Sequence, residues 1–127
     1  AVGAYAYPRT AKVGGGMSTP ESAVVRACLD YLQIIGVVAW RNNTTGIYDL
    51  ERQTYRKNAG RNGIADIVGC LPGGRFLAVE CKAGRGKLSP HQIEFQKDII
   101  KAGGLHVVAY RLEDLIEAIQ MKESPRL

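Results

Sequence analysis

Glu80 and Lys82 stand one residue apart at the end of an apolar run, Phe76-Leu77-Ala78-Val79. Residues two apart in a β-strand project from the same face, about 6.6 Å from each other along the chain. A Glu-x-Lys by itself is ordinarily a charge pair at the frayed end of a strand. The preceding segment changes that reading. Ile64 to Cys70 is a second apolar, β-rich run, and Leu71-Pro72-Gly73-Gly74-Arg75 between the two is turn chemistry, so they should form a hairpin. If the turn centres on Gly73, Cys70 faces Phe76, Val68 faces Ala78 and Asp66 faces Glu80. Directly opposed side chains have Cβ atoms about 5 Å apart. Two carboxylates at that distance repel, and a bound divalent cation reverses the sign of the interaction. Magnesium takes oxygen ligands, commonly one or two carboxylates plus waters. Asp66, Glu80 and the backbone carbonyl of Cys81 are therefore candidate ligands. Lys82 beside them could stabilise negative charge developing on a phosphoryl group or orient an attacking water. The geometry requires a loop of odd length or a bulge, because a two-residue Gly73-Gly74 turn would set Asp66 against Cys81 instead.

Two further polar residues are candidates for the same site. Gln92 follows Ser89 by three positions, which suits a capping box. It also shares a helical face with Phe95, Ile99 and Ala102, which directs it toward the sheet. Glu21 sits near a helix start, where an acidic side chain is favoured by the helix dipole. It leads into the stripe of Val25, Cys28, Leu32 and Ile35, and so leans inward with them.

The elements that must hold these residues follow from caps and periodicity. Ser18-Thr19-Pro20-Glu21 opens a helix with the spacing of a capping box, and the helix runs to about Ile35, before Gly36. Val37 to Trp40 is a short strand. Residues 41–62 are polar and turn-rich, with short strands expected at Gly46–Tyr48 and Gln53–Arg56. The hairpin comes next, ending in the strand Phe76–Lys82. Ser89-Pro90 opens a second helix that closes at Gly103-Gly104, Leu105 to Tyr110 is a fourth main strand, and Leu112, Leu115, Ile116 and Ile119 mark a last helix. Helix, strands, helix, strand, helix describes an α/β fold: a small mixed sheet flanked by helices.

The chain has 127 residues, 46% of them hydrophobic and 23% charged, which places it among globular single domains rather than disordered chains. No apolar run reaches the roughly 18 residues of a membrane span. The net charge of +5 favours a polyanionic partner. Cys28, Cys70 and Cys81 lack metal-ligand spacing and read as reduced thiols of a cytoplasmic protein. Residues 1–16 carry no period and end in three glycines before Met17, so they read as a leader or disordered arm, with one domain over residues 17–127.

Taken together, Glu21, Gly63-Ile64-Ala65-Asp66, Glu80-Cys81-Lys82 and Ser89-Pro90-His91-Gln92 resemble the VRR-NUC branch of the PD-(D/E)XK nucleases. The resemblance spans about Thr19 to Tyr110. Ala65 stands where the superfamily's name places a proline, a change the branch tolerates. The resemblance implies a restriction-endonuclease-like core, with Asp66 and Glu80 as ligands of Mg2+ (Mn2+ substituting) and Lys82 as the catalytic lysine. Gln92 would be an active-site glutamine, and Glu21 an accessory acidic residue and further candidate ligand. Stand-alone members of this kind are typically phage or prophage proteins acting in the bacterial cytoplasm. They resemble homodimeric enzymes that cut four-way (Holliday) junctions. Flaps or single strands are alternative substrates of the same chemistry, and a DNA-binding module without hydrolysis is the alternative from another class.

The basic side chains suit DNA. Arg41, Arg52, Arg56, Lys57 and Arg61 face only Asp49 and Glu51 in the same segment, a local net charge of +3, with Tyr48 and Tyr55 interleaved. Phosphate contact and base stacking are the expected roles. Arg85 and Lys87 form a second patch in the glycine-rich linker after Lys82. Neither patch carries a base-reading motif, so recognition of shape is expected. His91 and His106 are read as structural, and Trp40 as a core or interface residue.

Overall fold

A computed structural model describes residues 19–42, 47–56 and 60–122, with the backbone alone for 47–49 and 54–56. The expectations for residues 1–16, Met17, Ser18 and Lys57, and for the side chain of Arg56, lie outside the described residues. No helix among the described residues is long and apolar enough to cross a membrane.

Helix α1 spans Pro20–Ile34. Of the two residues able to cap it, Ser18 and Thr19, the N-cap is Thr19, whose Oγ1 accepts from the Ser22 N–H at 3.1 Å. Val25, Cys28 and Leu32 are buried, but Ile35 is the C-cap and is exposed, so the stripe stops one turn early. Strand β1 (Val38–Arg41) follows, then the two short strands β2 (Ile47–Asp49) and β3 (Thr54–Arg56), which pair only with each other. Strands β4 (Ile67–Cys70) and β5 (Phe76–Cys81) form the hairpin, helix α2 spans Pro90–Lys101, and strand β6 (Leu105–Ala109) precedes helix α3 (Leu112–Met121). The strands at 64–66, Lys82 and Tyr110 are shorter than expected by those end residues. Ala102 lies at the exposed C-cap of α2 rather than on its apolar face.

The main sheet has the order β1-β4-β5-β6, with β5 and β6 parallel and the other pairs antiparallel. The sheet is sandwiched. Helices α1 and α3 cover one face, packing Val25, Cys28, Leu32 and Leu115 on Ile67, Leu77, Val79, Cys81 and Val107. Helix α2 covers the other face with Phe95 and Ile99 on Ala78. The uneven cover matters: Val38, Trp40 and Phe76, which share that second face on the β1 side, stay exposed, so Trp40 is not a core residue.

The hairpin register is the one the opposed carboxylates require. Ile67 pairs with Val79, Val68 with Ala78 and Cys70 with Phe76. The Leu71 N–H donates to the Arg75 carbonyl at 2.8 Å, which leaves the three residues Pro72, Gly73 and Gly74 at the tip. Arg75 then bolts the turn down, its guanidinium donating to the carbonyls of Gly103 (2.8 Å) and Lys122 (2.6 Å) at the ends of α2 and α3.

Two glycines with positive φ make different demands. Gly73, at φ +92°, has open space around it, so an added methyl meets only the backbone preference. Gly63, at φ +80°, abuts the backbone of His91, and a Cβ there would collide with the His91 carbonyl group and the Gln92 nitrogen. Gly63→Ala should therefore cost about 2–4 kcal/mol, left-handed strain plus overpacking against an unyielding backbone. Gly73→Ala should cost about 1–2 kcal/mol. Urea unfolding of the two variants checks this; equal losses would mean the 63–91 contact carries no weight.

Candidate active site

Asp66 is the last residue before β4 and Glu80 the penultimate residue of β5, so continuing the register by one step sets them opposite each other. Asp66 is held from two sides. Its carbonyl accepts from the Asn42 N–H at 2.8 Å, extending the pairing to β1, and its Oδ2 accepts from the Cys81 N–H at 2.8 Å. The carboxylate thus replaces a backbone carbonyl at the end of the hairpin ladder. Cys81 presents its backbone to the site while its side chain lies in the core, where the Cys28 thiol and burial hold it protonated.

Glu80 is 2% exposed. Its Oε1 accepts from Gln92 Nε2 at 2.9 Å and lies 3.8 Å from Lys82 Nζ. Gln92 performs two tasks at once. Its Oε1 accepts from the Ser89 N–H at 2.8 Å while the Ser89 hydroxyl oxygen accepts from the Gln92 N–H, so the capping box forms, and the free amide hydrogens reach the site. The cap and the bond to Glu80 are one arrangement.

Burial, then the charge and contact of Asp66, push the Glu80 carboxyl up from the ordinary 4.5 to about 8; Lys82 opposes the shift and Glu21 adds to it. Without a cation, Glu80 keeps its proton up to about pH 8. The pair's oxygens suit magnesium: Glu80 Oε2 and Asp66 Oδ1 are hard donors not engaged by Gln92, Lys82 or the Cys81 N–H. Among the described residues, no group of three or more Asp, Glu, His or Cys side chains surrounds a common point. Glu21 lines an open cleft of about 470 Å³ together with Arg41, Asp66 and Ala83, within electrostatic reach of Glu80, without closing a three-carboxylate cluster.

The basic residues divide. Arg61 ion-pairs with Asp98 at 2.6 Å and stacks over the Phe95 ring at 5.3 Å, so it fastens the approach to β4 onto α2. Arg85 and Lys87 are exposed on the linker, which Tyr110 tethers by donating its hydroxyl to the Gly86 carbonyl at 2.8 Å. Arg52 is exposed in the turn between β2 and β3. Tyr110 and Arg75 are the positioning residues that sequence reasoning missed. Neither sits in a motif, and their partners lie 24 or more positions away.

His106 is buried against Phe95, with ring centroids 6.0 Å apart, and burial lowers its pKa to about 4. No protein-family model, curated protein or solved structure matches this chain.

Glu80 and His106 have opposite linkage. Glu80 has a folded pKa above its unfolded one, so its contribution is complete below about 4.5 and is lost as pH rises through about 8. His106 is depressed, so its contribution is complete above about 6.5 and is lost as pH falls toward 4. Between pH 6.5 and 8, the Glu80 carboxyl is losing its contribution while that of His106 is complete. In EDTA, stability should fall across that window by about 1.5–2 kcal/mol. Magnesium should stabilise most at the upper end, and Glu80→Gln should flatten the slope. Urea midpoints against pH measure this; a wild-type slope unchanged in Glu80→Gln would contradict the assignment.

Proposed function

We propose that this chain is a magnesium-dependent deoxyribonuclease of the VRR-NUC type, built on a PD-(D/E)XK core and acting on branched DNA, four-way junctions foremost, as a homodimer. The observation that carries the reading is the opposed pair of buried Glu80 and half-buried Asp66, with Lys82 Nζ 3.8 Å from Glu80 and Gln92 bonded to the same oxygen. A fold gains nothing from two like charges forced together in a desolvated place unless something positive joins them. Magnesium needs only one or two carboxylates from the protein, because it retains several waters.

Asp66 and Glu80 would hold the metal, which when bound supplies positive charge to the scissile phosphate and lowers the pKa of a coordinated water. Gln92 keeps the Glu80 carboxylate turned to its ligand position. Lys82, 13% exposed at its side chain, is too enclosed to serve as a general surface cation and stands where charge builds on the phosphate. Glu21 and Asp66 line the cleft through which the strand reaches the site. A junction needs cuts on two strands, and a two-fold dimer supplies two equivalent sites at fixed spacing.

A panel of four-way junctions, flaps, single strands and duplexes should be cut with magnesium or manganese and left whole in EDTA. Lys82→Ala should lower the cleavage rate about a hundred- to a thousand-fold with magnesium binding kept. Glu80→Gln should lose both metal affinity and cleavage while still binding DNA in gel shifts. Wild-type protein that binds junctions but cuts nothing with either metal would replace the enzyme by a binding module.

A further inference from the structure

Arg41 belongs to the same run of basic residues as Arg52 and Arg56, but it ends β1 in the main sheet while they belong to the β2–β3 hairpin. It is the last residue of β1, paired with Ile67, and its neighbour Asn42 donates to the Asp66 carbonyl at 2.8 Å. Arg41 lines the cleft that Glu21 and Asp66 also line. Among the described residues it closes no salt bridge with either carboxylate and makes no side-chain hydrogen bond. Arg61, by contrast, is committed to Asp98.

An arginine that shares a cleft with two carboxylates and pairs with neither keeps its planar fork of five donors for a ligand. The ligand chemistry it matches is a phosphate diester, gripped through two parallel N–H···O bonds. Its place relative to the carboxylates says which phosphate. Strand β4 lies between β1 and β5, so two inter-strand spacings, roughly 10 Å, separate the backbones of Arg41 and Glu80. Lys82, two residues along the chain from Glu80 and just past the end of β5, keeps its ammonium 3.8 Å from that carboxylate. A cation on the β1 side therefore meets the strand beyond the reacting group. The need for it is electrostatic: a site rich in carboxylates repels every phosphate of the strand, and a bound magnesium relieves only the one it touches.

We propose that Arg41 is the substrate clamp of this site, holding the phosphate that neighbours the scissile one on the cleaved strand and so fixing that strand over Asp66 and Glu80. The proposal rests on the nuclease reading and adds to it a residue that positions the substrate without touching the metal.

The test uses the full chain and the best-cut DNA of the panel, carrying a single neutral methylphosphonate at successive positions on either side of the scissile bond. Single-turnover cleavage in magnesium and gel-shift affinity in EDTA are both measured. Wild type should lose about tenfold or more in both at one neighbouring position. Arg41→Ala should show a loss of about 10- to 100-fold in kcat/KM on unmodified DNA, with magnesium affinity and urea midpoint unchanged, and should lose nothing further at that position. Arg41→Lys should recover part of the loss, since it restores charge without the fork. A merely structural role would leave the methylphosphonate profile of Arg41→Ala the same as that of wild type, and that result overturns the clamp. So does wild-type cleavage by Arg41→Ala. Failure of wild type to cut any DNA overturns the nuclease reading and the clamp with it, so the two failures are told apart by the wild-type lane.

Discussion

Two carboxylates that repel each other are held face to face at the end of a β-hairpin. Asp66 and Glu80 are opposed because the hairpin turns through an odd number of residues, and one residue more or fewer would send one of them to the other face of the sheet. The chain cannot relieve the repulsion by moving either side chain into water, since Glu80 is buried and Asp66 is tied to the Cys81 N–H. Beyond the partial offset from Lys82, the repulsion is relieved by a proton on Glu80 or by a bound cation. The upward shift of Glu80 describes the first, and the proposed activity is the second.

Much of the surrounding structure secures that opposition. The turn is anchored by Arg75 to the ends of both α2 and α3. Gly63 lets the segment leading to Asp66 lie directly on the first turn of α2, and Arg61 pins the same segment to Asp98 further along that helix. The first turn of α2 in turn presents Gln92, whose amide both caps the helix and orients Glu80. A shift of α2 would thus disturb the approach to Asp66 and the orientation of Glu80 together. Beyond the carboxylates, Tyr110 ties the linker bearing Arg85 and Lys87 to the end of β6.

The parts of this arrangement written in local patterns were legible in the sequence. The Pro-Gly-Gly turn marked the hairpin, the opposed carboxylates chose between the registers it allows, and the Ser89-to-Gln92 spacing gave the cap. Element order and the mixed sheet followed from caps and apolar periods. Helix ends were less legible, because Ile35 and Ala102 continue an apolar period past the point where the backbone turns away. Long-range polar contacts were not legible at all. Nothing local tells that Arg61 meets Asp98, 37 positions on, or that Arg75 meets Lys122, 47 positions on. Charge count alone grouped Arg41 with the basic segment after it. Only the pairing of β1 with β4 moves it to the carboxylate cleft.

The most direct test of the opposed-carboxylate account is crystallographic. Crystals of the protein soaked in manganese, with data collected at wavelengths that make the metal scatter anomalously, should give a peak coordinated by Asp66 and Glu80 at an oxygen–metal distance of about 2.2 Å. Crystals of Glu80→Gln treated in the same way should lack it. A wild-type map with no anomalous density between those two carboxylates, at manganese concentrations that support cleavage, would contradict the account.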